Sequence, residues 1–307
     1  MDDIRVSSLR AVALGVSDLE ASLAFYRDVW GLREVAREAG IAYLRGTGAD
    51  HHILELGREL GRQPRPGLLR AVFGAPGRDA VAGLHQRAVA CGAEIVASPA
   101  PLPVVSGGGF GFSLKTPAGN VLTISADVAR HAPETDDPSR PIRLSHLVLN
   151  AADEAGERAF FLDVLGFRLS DSTDRMDFLR CSADHHSIAL AQAERGSINH
   201  IAFELADIDG LMRGAGRLKK AGYQVEWGVG RHGPGDNVFC YFVDPNGFAV
   251  EYTTGMQQIA LDDDTYQPHD AAYWREFQPR PCRWGMAMSP SELMIRAMSG
   301  DLVAGRS

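Results

Sequence analysis

Three side chains in the second half of the chain could together hold a metal ion. His146 falls in the apolar run SHLVLN (145–150), His200 in NHIAFE (199–204), and Glu251 near the end of GFAVEYT (247–253). Each run has the length and the β-branched, aromatic content of a strand. Two imidazoles and one carboxylate on adjacent strands can occupy one face of an octahedral ion. The opposite face then stays open for a substrate and dioxygen, the facial arrangement of non-haem Fe(II) oxygenases. Taken singly, a histidine on an apolar strand is ordinarily a hydrogen-bonded core residue, and a glutamate there ordinarily faces water.

Further polar side chains lie near these three in sequence. His186 sits in SADHHSIALA, and His232 and Tyr241 flank the last candidate donor in GRHGPGDNVFCYFV. Alternation places Tyr241 and Glu251 on neighbouring strands joined by the Asp244-Pro245-Asn246-Gly247 turn. Each also has a plain structural reading. His185 and His186 could lie at the surface, His232 could be a solvated residue of a glycine-rich loop, and Tyr241 a core aromatic with its hydroxyl at the rim.

An internal repeat must position these residues. At an offset of 135, Asp18 pairs with Asp153, Phe25 with Phe160, Asp28 with Asp163 and Gly31 with Gly166. HQRAVACGAEIV (85–96) is echoed by AGRLKKAGYQVE (215–226), and TPAGNVLTIS (116–125) by DPNGFAVEYT (244–253). Each copy holds two similar halves. A half opens on an apolar strand (AVALGV, LRAVFGA, SHLVLN or NHIAFEL) and continues into a helical stretch, with Asp18 available as N-cap of the first. A glycine ends each helix (Gly31, Gly92, Gly166, Gly222), and β-branched and aromatic runs follow. The unit is β-α-β-β-β, used four times. The positions matching His146, His200 and Glu251 in the first copy are Ala11, approximately Arg70, and Thr123. A scaffold that does without these polar residues in one copy carries them in the other for function rather than packing. The His185-His186 pair carries less weight, because His51-His52 stand at the matching place.

The remaining segments read simply. HAPETDDPSRP (131–141) is the expected linker. Ser106-Gly107-Gly108-Gly109 precedes a strand rather than a helix, so it is a hairpin loop and not a phosphate cradle. In the tail, the acidic run Asp262–Asp264 is expected to be solvated. Ser289-Pro290-Ser291-Glu292 reads as a capping box with proline at the first helical position, and Gly300 could close that helix.

Composition bounds the class. The 307 residues suit two domains of ordinary size, with 31 basic against 39 acidic residues (31 − 39 = −8), 45% hydrophobic and 23% charged. That mix excludes a disordered chain, and an acidic chain without a Lys/Arg cluster makes nucleic acid an improbable partner. There is no run of about 18 apolar residues to span a membrane and no apolar core of a secretory signal at the start. The cysteines Cys91, Cys181, Cys240 and Cys282 are scattered, which fits a reducing cytoplasm.

The second copy resembles the catalytic domain of the type I extradiol catechol dioxygenases, in the vicinal oxygen chelate superfamily. The resemblance rests on Gly230-Arg231-His232, Tyr241, Asp244-Pro245, Gly247 and Glu251, completed by the histidines of SHLVLN and NHIAFE. It covers roughly residues 5–256. Cys240 departs from the branched aliphatic residue usual before the tyrosine, at a packing position.

The resemblance implies an α+β fold of two tandem domains, each of two βαβββ modules, with an incomplete barrel around the metal. The implied division is a non-catalytic domain at 5–130, a catalytic domain at 141–256 and a tail at 257–307 packing over the domains or an oligomer interface. His146, His200 and Glu251 are implied to bind Fe(II), with Mn(II) the less usual ion. His186 is implied as acid–base residue, Tyr241 as a hydrogen-bonding partner of the substrate oxygen, and His232 as an orienting residue. The implied reaction inserts both atoms of O2 into a substituted catechol, of biphenyl-diol or monocyclic type, giving a muconic semialdehyde-type product in aromatic degradation. The partners would be catechol, O2 and further copies of the chain, with Arg231 a candidate contact for a substrate carboxylate. Two rival readings share the scaffold: a glyoxalase-like metal-dependent isomerase or lyase, which generally needs a second carboxylate, and a non-enzymatic small-molecule-binding protein.

Overall fold

The computed structural model describes residues 4–57, 66–134, 136–261, 263, 265–277, 282–287 and 289–305. Four β-α-β-β-β units follow one another, as the repeat predicts. The first has β1 (Ser8–Gly15), α1 (Leu19–Leu23), β2 (Arg33–Glu38), β3 (Ile41–Arg45) and β4 (Leu54–Gly57). The second has β5 (Gly67–Gly74), α2 (Arg78–Ala90), β6 (Ile95–Pro101), β7 (Phe110–Lys115) and β8 (Val121–Ala126). The third has β9 (Arg143–Ala151), α3 (Glu154–Asp163), β10 (Arg168–Ser172), β11 (Met176–Arg180) and β12 (Ile188–Gln192). The fourth has β13 (Ser197–Glu204), α4 (Ile208–Lys220), β14 (Trp227–Arg231), β15 (Val238–Val243) and β16 (Ala249–Thr254).

Local chemistry sets the helix limits. Asp18, Asp153 and Asp207 cap three helices with their carboxylates. The four glycines that end the helical stretches all take positive φ, between 74° and 95°. A side chain there would be strained, and the left-handed residue turns the chain back onto its sheet. Helix α1 runs on as a π-helical turn, Ala24–Val29, which seats the buried Phe25 and Tyr26.

Two mixed sheets of eight strands result, in the order β2-β3-β4-β1-β5-β8-β7-β6 and β10-β11-β12-β9-β13-β16-β15-β14. Each remains open between its end strands. In the second sheet Phe178 of β11 and Trp227 of β14, from near opposite ends, line one cavity, so the sheet wraps around it. Hydrophobic residues of both sheets form one continuous core. At its centre Trp30 stacks on Tyr252, with ring centroids 3.9 Å apart.

Three expectations need correction. The segment 131–141 is not a free linker: Glu134 N–H donates to Thr47 O at 2.7 Å and Thr47 N–H to Pro141 O at 2.8 Å. The last helix, α6 (Glu292–Met298), is capped by Ser291, whose hydroxyl accepts from Met294 N–H, so Pro290 precedes the cap instead of opening the helix. His185 and His186 are buried, not surface residues. Gly300 does follow that helix at φ 78°, and the Ser106–Gly109 run does join β6 to its antiparallel neighbour β7. Of the acidic run, Asp262 and Asp264 lie outside the described residues.

Candidate metal centre

The sheet register brings the three donors together. On β9, β13 and β16, three adjacent strands, Ala202 is paired with His146 on one side and Glu251 on the other. His200 lies two residues from Ala202, hence on the same face. The small alanine between the two partners leaves room for their side chains to converge. His146 Nε2 is 3.2 Å from Glu251 Oε2, His200 Nε2 is 3.3 Å from the same oxygen, and the two Nε2 atoms are 3.3 Å apart. Metal–nitrogen bonds of about 2.1 Å at right angles would put neighbouring donors about 3.0 Å apart. Among the described residues this is the sole group of three or more potential metal donors.

The surrounding hydrogen bonds turn the lone pairs inward. His200 Nδ1 donates to Asn199 Oδ1 at 2.8 Å, and Asn199 is oriented by donating through Nδ2 to Asn150 Oδ1 at 3.0 Å. His146 Nδ1 lies 3.1 Å from Ser145 Oγ. Asn199 thus fixes the His200 proton on Nδ1 and presents a lone pair at Nε2, and the Ser145 hydroxyl can accept from His146 Nδ1 in the same way. Asn237 Nδ2 steadies Glu251 through Oε1 at 3.3 Å, while Oε2 is buried without a hydrogen-bond donor. Three lone pairs pointed at one another repel, and a cation is what resolves them. Burial opposes ionisation of Glu251, yet the His146 and His200 imidazoles facing it outweigh burial and hold the carboxyl well below the usual carboxylate range. Burial lowers His200.

The other predicted residues ring this face. His186 comes from the loop between β11 and β12, with its ring centroid 4.4 Å from that of His146. Burial, then the neighbouring imidazoles, push it well below the ordinary histidine range. Tyr241 is paired with Glu251 across β15 and β16. Its hydroxyl is 3.1 Å from His232 Nε2 and 3.5 Å from His200 Nε2. Burial raises the Tyr241 phenol well above its usual value and lowers His232 to about 4. Cys240 points to the core, as its packing position implies. Arg231 is not available to a substrate: its guanidinium is paired with Asp236 at 2.7 Å and 3.0 Å.

A cavity of about 790 Å³ opens over the donors. Its walls include Val148, Met176, Phe178 and Trp227 from the sheet, and Trp274 and Met298 from the tail. The tail helix α5 (Ala271–Phe277) is tied to the β10–β11 turn by an ion pair between Arg275 and Asp174. These wall residues were not legible beforehand. The ones with a nearby signal were Val148, two residues after His146 in SHLVLN, and Trp227, three residues before the Gly230-Arg231-His232 signature.

Two stretches, residues 8–124 and 143–252, match the model of the Glyoxalase/Bleomycin resistance protein/Dioxygenase superfamily. The chain belongs to this superfamily. Within it, Metapyrocatechase 2 of Cupriavidus necator is 31% identical over 221 residues, 61% of this chain and 67% of that protein. Metapyrocatechase of Pseudomonas sp. strain CF600 is 29% identical over 284 residues, 86% and 89% of the two chains. Among solved structures, the Mn(II)-bound glyoxalase of Novosphingobium aromaticivorans superposes with a TM-score of 0.85 at 36% identity, covering 94% of each chain. That likeness reaches beyond the two matched stretches.

Proposed function

We propose that this chain is an extradiol ring-cleaving dioxygenase whose His146, His200 and Glu251 hold Fe(II), with Mn(II) the alternative ion. The observation that carries the reading is the convergence of three donor atoms, 3.2–3.3 Å apart, beneath a cavity large enough for an aromatic substrate. Relatives named metapyrocatechase, and one named iron-dependent extradiol dioxygenase in Rhodococcus jostii, support it. So does one named manganese-dependent 2,3-dihydroxybiphenyl 1,2-dioxygenase, 25% identical over 293 residues.

A metal ion bound here would lower the pKa of a coordinated hydroxyl and offer adjacent open positions. The protein's own groups do the rest. The His186 imidazole, kept neutral by burial, takes a proton from the substrate hydroxyl and returns one during oxygen insertion. Tyr241, held as a phenol, donates a hydrogen bond to a substrate oxygen, and His232 Nε2 at 3.1 Å fixes the direction of that hydroxyl. Val148, Met176, Phe178, Trp227, Trp274 and Met298 exclude water and receive the rest of the molecule. The substrate is therefore a catechol with an apolar substituent, and the product a muconic semialdehyde-type acid carrying both oxygen atoms. A homo-oligomer in a reducing cytoplasm completes the reading, consistent with four unpaired cysteines.

The description of the Novosphingobium protein as a glyoxalase favours a second reading, a metal-dependent isomerase or lyase. That chemistry generally uses a second carboxylate, and the donor cluster has one. Oxygen uptake by Fe(II)-loaded protein, with catechol and 2,3-dihydroxybiphenyl, separates the two. The expected result is one O2 consumed per catechol, with both labelled atoms from ¹⁸O2 in the product and the biphenyl-diol preferred. No uptake, together with conversion of a methylglyoxal hemithioacetal, would overturn the dioxygenase.

A further inference from the structure

Behind His186 runs a file of hydrogen bonds that ring cleavage as described leaves unused. Asp171 of β10 is 1% exposed, and its Oδ2 lies 2.9 Å from His185 Nε2. His185 is fully buried, and its Nδ1 lies 3.1 Å from His186 Nδ1. The other oxygen of Asp171 accepts from the backbone N–H of His269 at 2.7 Å and the Tyr266 hydroxyl at 3.2 Å, and lies 3.1 Å from His269 Nδ1.

The proton positions follow from counting. A carboxylate only accepts, so His185 carries its proton on Nε2. Counting one N–H for each imidazole, His185 Nδ1 is then the acceptor. His186 must then donate from Nδ1, which leaves the lone pair of His186 at Nε2, away from the file. The first copy has the same pair, His51 Nδ1 3.0 Å from His52 Nδ1, with the polarity reversed. There Glu55 lies 3.2 Å from His52 Nε2 and accepts its N–H. Ala36 stands where the second copy has Asp171, and Ala189 stands where the first has Glu55, by the matching strand registers. The carboxylate has changed sides of the histidine pair in the copy that carries the metal donors.

We propose that Asp171 and His185 are positioning residues that fix His186 in the Nδ1–H form, so that its Nε2 is the free base facing the reacting substrate. The proposal rests on the ring-cleavage reading for its consequence, but not for the proton positions themselves. Asp171→Asn tests it. The backbone N–H of His269 can only donate, so it keeps the amide oxygen on its own side and turns the amide nitrogen toward His185. That nitrogen donates to His185 Nε2, moves the His185 proton to Nδ1, and forces His186 into the opposite form.

The expected result is unchanged metal content, an anaerobic catechol Kd within about twofold of the parent, and a kcat lower by about 10²- to 10⁴-fold. Tyr266→Phe removes a contact on the far oxygen of Asp171 only and should leave kcat unaltered. ¹⁵N NMR of histidine-labelled, Zn(II)-substituted protein should report His186 as Nδ1–H in the parent and Nε2–H in Asp171→Asn. An Nε2–H form in the parent overturns the proposal whether or not the variant folds. So does a parent-like kcat in Asp171→Asn, or an equal loss in Tyr266→Phe. Correct proton positions without any catechol cleavage would instead sink the functional reading and leave this one standing.

Discussion

The two copies enclose cavities at matching places, and they differ in what faces the buried carboxylate. Over the first sheet a cavity of about 330 Å³ is lined by Arg10, Asp50, Glu55 and Arg70, beside Tyr43 and His52. Its buried Glu55 is already answered, by an ion pair with Arg70 and by His52. Over the second sheet the cavity is larger, about 790 Å³. There the buried Glu251 has a hydrogen bond from Asn237 on one oxygen and, among the described residues, no arginine or lysine beside it, and its other oxygen faces His146 and His200. A buried carboxylate must be neutralised by something. The first copy supplies the cation from its own chain at Arg70, and the second leaves that role to an ion from outside. Fold and backbone register are common to both, so the difference is one of side chains grafted onto a shared scaffold.

Substituting the two glutamates breaks the comparison most sharply. Glu251→Gln should retain the hydrogen bond from Asn237 while removing the charge, so metal retention and catechol turnover should both fall by more than about 100-fold. Glu55→Gln should leave both at the level of the parent. Metal analysis and oxygen uptake on the purified variants check this. Equal losses in the two would mean that the first cavity is part of the working site.

How much of this was legible beforehand follows from the same contrast. The repeat exposed the fold because its signals are local: a left-handed glycine and strands of the right length recur in all four units, and an N-cap aspartate in three. The donors stood out because their partners in the first copy are Ala11, Arg70 and Thr123, which cannot complete the same set. The Asp171–His185 file did not stand out. Asp171 lies fourteen residues before His185 in an unremarkable strand, and the histidine pair alone is common to both copies. The tail was also opaque. Trp274 and Met298 reach the cavity through packing that no period in the sequence reports.

A smaller effect tests how the donors are aimed. Asn199 accepts from His200 Nδ1 and is itself held by Asn150. In the first copy the matching residue is Leu69, beside an arginine that needs no such acceptor. Asn199→Leu should therefore weaken metal binding by about 10- to 100-fold without unfolding the chain, read as a metal Kd in a chelator competition. An unchanged Kd would show that packing alone orients His200.

The smallest effects concern how the copies grip each other, and here the comparison becomes reciprocal. The helical turn of each copy reaches the last hairpin of the other. Tyr26 donates to Asp244 Oδ2 at 2.9 Å, and Glu157 accepts from Ala118 N–H at 2.5 Å. Asp244 keeps three other donors, from Asn246 and Phe248, when the tyrosine hydroxyl is removed. Tyr26→Phe should then cost about 1 kcal/mol in urea unfolding, the net worth of a bond whose acceptor stays satisfied. Glu157 differs, because burial raises its pKa and its second oxygen has no donor. A carboxyl raised in the folded state favours folding at low pH, and that advantage is lost as pH climbs from the unfolded value of about 4.3 through the folded one. Glu157→Gln should be more stable than the parent at pH 7, and the gain should vanish below about pH 4. A gain that persists in acid would trace the effect to packing instead of charge, and the two grips would then be alike.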